Sequence, residues 1–312
     1  MKVIISGGFG YLGQRLGKYF HDNGCKVFLG TRHKRNKPLW LTNGDVLITD
    51  WKNIHSCFSK IKSADLLIHC AGMNALECSY NEEEAKIFNG SLTEKIIDAS
   101  IEMGIKDFLY LSTAHVYSDP LQGVISEDSK LTNNHPYATS NALGEKYVFQ
   151  ANKSKKINAK VIRLSNCFGA PLDINTKCWH LAVNNFCLQA IQNQEIILES
   201  NGKQLRDFIP ISEFCRVLDF IIKNCMRDSE NSVFNIGGKT LSINDIANIV
   251  SEVYEKKYNK KLKIKTDTKD LKTEAQFFDY KMNWIKDYQF EKIFNPYTEI
   301  NDLLDLCKEN TA

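Results

Sequence analysis

The chain has 312 residues, of which 43% are apolar and 25% charged, and a formal net charge of +3. This is the composition of a globular protein large enough to bury a real core. The charge is too small to argue for nucleic acid as a partner, and no apolar stretch approaches the roughly 20 residues of a membrane span. Ten cysteines and seven histidines are scattered without a C-x-x-C pair or ligand spacing, so no metal site is expected. Cys25, Cys70, Cys167, Cys187, Cys215 and Cys225 fall inside apolar patterns and read as reduced, packing thiols. A strand follows Met1-Lys2 at once and leaves no room for a signal peptide, so a reducing, cytoplasmic setting is expected.

The first element, Val3–Ser6, runs into Ser6-Gly7-Gly8-Phe9-Gly10-Tyr11-Leu12-Gly13 and then into an amphipathic stretch carrying Leu16, Tyr19 and Phe20. The pattern predicts a strand, a tight glycine turn and a helix. One glycine permits the turn, one lets a pyrophosphate reach the backbone, and one lets helix pack on strand. The helix start offers N–H groups and a positive dipole end to phosphate. Further strands are predicted at Lys26–Gly30, Val46–Ile48, Leu66–Cys70, Lys106–Ser112 and Lys160–Ser165, with helices such as Asn53–Lys62 and Glu82–Met103 between them. Alternation of this kind predicts an α/β fold, a Rossmann-like doubly wound parallel sheet with ligands at the C-terminal strand ends.

Residues 1–166 are thus expected to form the dinucleotide-binding domain, with a returning segment near 208–236. Residues 167–312 are expected to form a smaller α/β substrate lobe. Its predicted elements are a helix Trp179–Gln192, strands Ile196–Leu198 and Phe208–Ile211, a helix Glu213–Asn224 and a strand Val233–Ile236. Ser242 with Asp245 reads as a helix N-cap with an acid at N3. Lys256–Lys272 reads as a lysine-rich, hairpin-like surface segment, and Tyr297–Cys307 as a closing helix.

The end of the second predicted strand reads Leu29-Gly30-Thr31-Arg32-His33-Lys34-Arg35. NAD-selective sites commonly place a carboxylate here for the ribose 2′-hydroxyl. This chain has none, and Arg32 can hold a 2′-phosphate through paired N–H donors. NADP is therefore expected in preference to NAD. The alternative is a basic surface loop without a ligand.

Taken together, these segments resemble the extended short-chain dehydrogenase/reductase family, the nucleotide-sugar epimerases, dehydratases and reductases, over nearly the whole chain. Gly7, Gly10, Tyr11 and Gly13 lie in the family's glycine turn. Asp50-Trp51 falls where the family sets an acid and a bulky residue against adenine. His69-Cys70-Ala71-Gly72 resembles its fourth-strand signature beside the cofactor, and Leu111-Ser112-Thr113-Ala114-His115-Val116-Tyr117 the segment bearing its catalytic Ser/Thr. Pro136-Tyr137-Ala138-Thr139-Ser140 resembles the start of its Tyr-x-x-x-Lys helix. Asn166, in Arg163–Gly169, and Arg206, before Asp207-Phe208-Ile209, match residues that meet cofactor and sugar nucleotide, the Arg gripping the diphosphate. Asn185, near Trp179, is a further candidate for the substrate's base or for packing.

The resemblance implies that Tyr137 exchanges a proton with a sugar oxygen, that Thr113 hydrogen-bonds the same oxygen, and that hydride moves to or from nicotinamide. It breaks at Asn141, where the family has Lys. Asn carries no charge to lower a phenol pKa near 10. Lys146, nine residues after Tyr137, points to the opposite helix face. Ala114 removes an acid that dehydratase relatives carry. His115 is either a base for C3 or C5 or a loop residue bonded to backbone. The expectation is an NAD(P)-dependent reductase or epimerase of nucleotide sugars in surface polysaccharide assembly, acting as a homodimer. The alternative is a cofactor-binding sensor or scaffold with little turnover.

Overall fold

The computed structural model of the chain describes residues 1–50, 64–228, 231–266 and 276–310. Trp51, the expected helix Asn53–Lys62 and the last part of the lysine-rich segment lie outside these residues. The strands, in chain order, are β1 Lys2–Ser6, β2 Lys26–Thr31, β3 Gly44–Ile48, β4 Leu66–His69, β5 Asp107–Thr113, β6 Gly123–Ile125 and β7 Asn158–Leu164. They continue as β8 Asn166–Phe168, β9 Glu195–Leu198, β10 Leu205–Pro210, β11 Val233–Ile236, β12 Lys239–Ser242, β13 Lys263–Thr266 and β14 Phe278–Tyr280.

Seven of them form one sheet in the order β11-β7-β5-β4-β1-β2-β3, and the registered pairs from β7 to β3 are parallel. The fold is the Rossmann-like doubly wound sheet expected from the alternation of strands and helices. Its order reverses between β1 and β4, the switch point at which such sheets take ligands. Val3, Ile4 and Ile5 on β1, and all four residues of β4, are buried, as a sheet covered on both faces requires. Ile4, Leu67, Phe108 and Val161 from the sheet pack with Leu92, Ile96, Ile97 and Val148 from the helices Leu92–Glu102 and Pro136–Lys153. Each such side chain contributes roughly 1.5–3 kcal/mol on burial.

The chain divides into two compact units. The first comprises Met1–Asp119, Ser129–Leu164 and Leu218–Asn235; the second comprises Pro120–Asp128, Ser165–Val217 and Ile236–Ala312. In the second, β12 pairs antiparallel and β8 parallel with β10. Phe168, Phe186, Phe208, Ile246, Val250 and Leu303 are in its core.

Several elements differ from the sequence reading. The helix expected from Trp179 begins at Ala182, and Trp179 instead donates its indole N–H to the Ile174 carbonyl at 2.9 Å. Over its described residues, 256–266, the lysine-rich segment is not hairpin-like: the preceding helix runs to Tyr258, and β13 pairs parallel with β9. The pair β6–β14 was not foreseen. The cap at Ser242 is present in full, with Ser242 and Asp245 bonded reciprocally.

Two buried polar groups tie the first unit together. Glu145, on the helix Pro136–Lys153, accepts from Arg163 Nε at 3.0 Å, Arg163 Nη2 at 2.7 Å and the Ser112 hydroxyl at 2.6 Å. Both members of the ion pair are about 5% exposed or less. His69 is fully buried at the end of β4. Its Nδ1 lies 2.5 Å from Ser6 Oγ and its Nε2 3.2 Å from Thr93 Oγ1. Since Thr93 gives its own proton to the Asn89 carbonyl, His69 donates from Nε2 and accepts at Nδ1. Desolvation lowers its pKa to about 3, so the ring is neutral.

Removing one partner of a buried pair strands the other charge. Glu145→Ala is therefore expected to cost about 3–5 kcal/mol in urea unfolding. For His69 the folded pKa lies below the unfolded one, so its contribution is present above pH 6.5 and is lost as pH falls towards 3. Relative to His69→Asn, the native protein is expected to lose stability by roughly 1.4 kcal/mol per pH unit across that window. Parallel pH profiles for the two proteins would show that this titration is absent.

Candidate active site

β1 delivers the chain to Gly7, whose φ of +68° lies in the left-handed region that suits glycine. A Cβ at Gly7 would stand 2.8 Å from the Ala71 backbone, and one at Gly13 2.2 Å from the Gly7 carbonyl oxygen. The backbone therefore approaches as closely as it does only without side chains here. Gly10 is the N-cap of the helix Tyr11–Asp22 and brings no capping side chain to its first turn. A helix start of this kind can take a phosphate group. Cys70 and Ala71 are half-buried, and Gly72 is exposed. The cradle fits the diphosphate of a dinucleotide, since the atoms nearest a Cβ built at Gly7, Gly10 or Gly13 are all backbone.

At the end of β2, Arg32 is exposed and its guanidinium lies 4.5 Å over the Phe88 ring. Arg35 lies 6.0 Å over the ring of Phe9 in the glycine turn. Such stacking holds a planar cation while leaving its edge to donate. Asp50 is also exposed, close after β3.

Thr113 ends β5 and caps the short turn Ala114–Val116, accepting at Oγ1 from the His115 N–H at 3.1 Å. Tyr137 opens the helix Pro136–Lys153. The fold brings these two side chains near one another. Desolvation raises the Tyr137 pKa, and the neighbouring Thr113 side chain offsets part of that rise. His115 is half-buried, and its carbonyl accepts from Asn133 Nδ2 at 2.7 Å.

Asn141 lies one turn after Tyr137 but is only 6% exposed. Its amide donates to the Tyr137 carbonyl at 2.8 Å, and its Oδ1 accepts from the Tyr110 hydroxyl at 3.1 Å. Tyr110 also reaches the Asn89 carbonyl at 3.2 Å. Asn89 sits on a π-helical turn, Lys86–Ser91, where it accepts from the Met73 N–H at 2.8 Å and donates to Ser140 Oγ at 3.1 Å. Widened turns of this type occur often at functional sites. The carboxamide at 141 is thus engaged at both ends inside the fold.

The second unit holds the other expected site residues. Asn166 donates to the Asp207 carbonyl at 2.9 Å. Asn185 donates to the Trp179 carbonyl at 3.2 Å and accepts from Gln189. Arg206 is half-buried and donates to Gln204 Oε1 at 3.0 Å. Asp207, beside it, is buried and accepts from the Gly238 N–H at 2.8 Å. Burial pushes its pKa up to about 6.

Four residues that matter to this geometry were not singled out from sequence: Tyr110, Asn89, Asn133 and His135. His135 is the N-cap of the Tyr137 helix, with Pro136 at the first helical position. Proline after a polar residue is a helix-start signal, and it marks this position in the sequence. Tyr110 lies within a strand run and carries no local signal of its role.

Residues 3–237 match the family model described as the NAD dependent epimerase/dehydratase family. A putative UDP-glucose 4-epimerase of Methanocaldococcus jannaschii is 23% identical over 261 residues, 80% of this chain and 81% of that protein. A low-salt glycan biosynthesis protein of Haloferax volcanii is 23% identical over 246 residues, 76% of this chain and 77% of that protein. Among solved structures, UDP-glucose 4-epimerase from Thermotoga maritima with UDP-glucose superposes with a TM-score of 0.81 at 18% identity, covering 100% of both chains. UDP-glucuronic acid 4-epimerase from Bacillus cereus, in complex with UDP-glucuronic acid and NAD, gives 0.77 at 19% identity, covering 99% of this chain and 100% of that one. The chain belongs to the NAD dependent epimerase/dehydratase family.

Proposed function

We propose that the protein is a nicotinamide-dependent enzyme acting on a nucleotide-linked sugar, a reductase or a slow epimerase serving surface polysaccharide assembly. The observation that carries this reading is the glycine cradle at the sheet's switch point, in a chain that also sets the Thr113 side chain near the buried Tyr137 hydroxyl. Relatives named for UDP-glucose epimerisation and glycan biosynthesis support the substrate class. Gly7, Gly10, Tyr11 and Gly13 hold the dinucleotide's diphosphate. Asp50, Cys70, Ala71 and Gly72 lie along the rest of it, and Asn166, Asn185 and Arg206 serve the substrate. The second unit is the substrate lobe, and the active species is a cytoplasmic homodimer.

When bound, the nicotinamide gives or takes the hydride. The residues of the chain handle the proton. With its pKa raised by burial, Tyr137 stays protonated at neutral pH and donates to the sugar oxygen as negative charge develops there. Thr113, fixed by the His115 N–H, hydrogen-bonds the same oxygen. Running the reaction towards alcohol oxidation requires the phenolate, which this environment disfavours. Reduction of a keto sugar is therefore the better-supported direction, and oxidation speeds up as pH rises. Arg32, stacked on Phe88, holds a 2′-phosphate, so NADP is preferred to NAD, although NAD is the dinucleotide named with the Bacillus cereus neighbour. The inward-turned Asn141 favours one other reading, a cofactor-binding protein without turnover.

The test follows loss of reduced nicotinamide on adding a 4-keto sugar nucleotide to the purified protein. Tyr137→Phe is expected to lower kcat about 10²–10⁴-fold with dinucleotide affinity unchanged. Binding without any turnover across nucleotide sugars would favour the sensor reading. In titrations, Arg32→Ala is expected to weaken NADP about tenfold or more, the loss of a charge-assisted pair, and to leave NAD untouched. Equal loss for both would remove the NADP assignment.

A further inference from the structure

His135 is the last link in a chain of four hydrogen bonds that joins the two residues proposed to meet the sugar oxygen. Starting from Thr113, Oγ1 accepts from the His115 N–H at 3.1 Å, and the His115 carbonyl accepts from Asn133 Nδ2 at 2.7 Å. Asn133 Oδ1 accepts from the His135 N–H at 2.9 Å, and His135 Nδ1 accepts from the Tyr137 N–H at 3.1 Å. These four bonds run without a break from the Thr113 hydroxyl to the Tyr137 backbone N–H. Three of the bonds join residues two apart and the fourth joins His115 to Asn133, 18 residues on, so together they fix how far the strand end carrying Thr113 stands from the helix start carrying Tyr137.

The imidazole does what a Ser or Asp N-cap does in other helices, with one difference. Nδ1 is an acceptor only while it carries no proton, so the ring must be neutral with its proton on Nε2. The second nitrogen agrees with this assignment. Nε2 lies 2.9 Å from Ser79 Oγ, and Ser79 gives its own proton to the Ala75 carbonyl at 3.0 Å. Ser79 therefore accepts from Nε2–H and locks the tautomer. A proton added at Nδ1 removes the cap acceptor and breaks the chain of bonds at the Tyr137 end.

We propose that His135 is the positioning residue of the site: as a neutral Nε2–H imidazole it holds the Tyr137 helix start against Thr113, and its protonation releases that hold. The inference rests on the reading of Tyr137 as the proton donor. Other titratable groups on the elements packed against the Tyr137 helix include Glu77, Cys78 and Tyr80 on the helix Ala75–Tyr80, Glu82, Glu83 and Glu84 on the helix Glu82–Ala85, Lys86 on the π-helical turn, Tyr110 on β5, His115 on the turn Ala114–Val116, and Tyr137 itself. Glu77 is engaged in the capping box with Asn74, and burial raises the Cys78 thiol's pKa. These groups remain in a His135 variant, so a comparison of variant with native protein isolates the imidazole.

The test uses the full chain with labelled tyrosine and histidine, read by NMR, with the Tyr137 signal identified by Tyr137→Phe. At alkaline pH the His135 ring should carry its proton on Nε2. On acidification the Tyr137 ring signal should shift in the native protein and stay fixed in His135→Asn, which keeps a cap acceptor that does not titrate. A proton on Nδ1, or the same Tyr137 shift in both proteins, overturns the proposal. In turnover, His135→Ala should lower kcat about 10–100-fold through misplacement of Tyr137 while the KM for the sugar nucleotide holds. His135→Asn should restore kcat to within about threefold and abolish the decline on the acid side. Native turnover in His135→Ala at every pH also overturns it. Native turnover in Tyr137→Phe would instead remove the proton-donor reading, and the NMR result would still decide the inference about His135.

Discussion

The contact of the Tyr110 hydroxyl with the Asn141 carboxamide and the Asn89 carbonyl decides the character of the site. Buried polar groups must find partners, and a partly satisfied network costs more than none. Here the partners form a continuous path. It runs from His69 through Thr93 and Asn89 to Tyr110, Asn141 and the Tyr137 carbonyl. It starts on β4 beside the glycine cradle and ends on the first turn of the Tyr137 helix. The π-helical turn supplies its middle, placing Asn89 so that its carbonyl receives two hydroxyls and its side chain grips the Met73 loop.

A neutral residue at 141 is consistent with the rest of that interior. His69 is held uncharged by burial, and burial keeps both Tyr110 and Tyr137 in their phenol forms. Charge enters the same helix at Glu145, where Arg163 meets it through two hydrogen bonds and Ser112 through a third. An ammonium at 141 would need an anionic or strongly accepting neighbour to repay its desolvation. The Asn141 side chain meets a hydroxyl and a carbonyl instead. The helix is thus fixed by neutral bonds near its start and by an ion pair near its middle.

Much of the sheet was legible in the chain because its signals are local. Val3–Ile5, Leu66–Ile68 and Val161–Ile162 are apolar runs of the right length, and the glycine turn follows directly from the first. Ser242 and Asp245 announced a capping box that the structure contains. Thr113 and Tyr137 were singled out separately, and folding brings them together. What escaped was tertiary in origin. β6 and β14 are three residues each, too short to show a period, and they exist because they pair with one another. β13 carries lysines and reads as surface, yet it is ordered by β9. The direction of the Asn141 side chain depends on Tyr110, 31 residues earlier. The cap at His135 uses a residue type outside the usual capping set, so the position was marked by Pro136 but not the role.

Both units are assembled from three separate stretches of chain, and this sets an order on biosynthesis. The large sheet lacks its β11 edge until residues 233–236 leave the ribosome, although its other six strands end at Leu164. The segment Gly123–Ile125 waits longer still, since its partner is Phe278–Tyr280. Pairings across such separations carry a large loop-closure entropy and slow folding. During that interval β7 stands as an open edge of parallel sheet, the kind of surface that chaperones shield and that aggregation exploits.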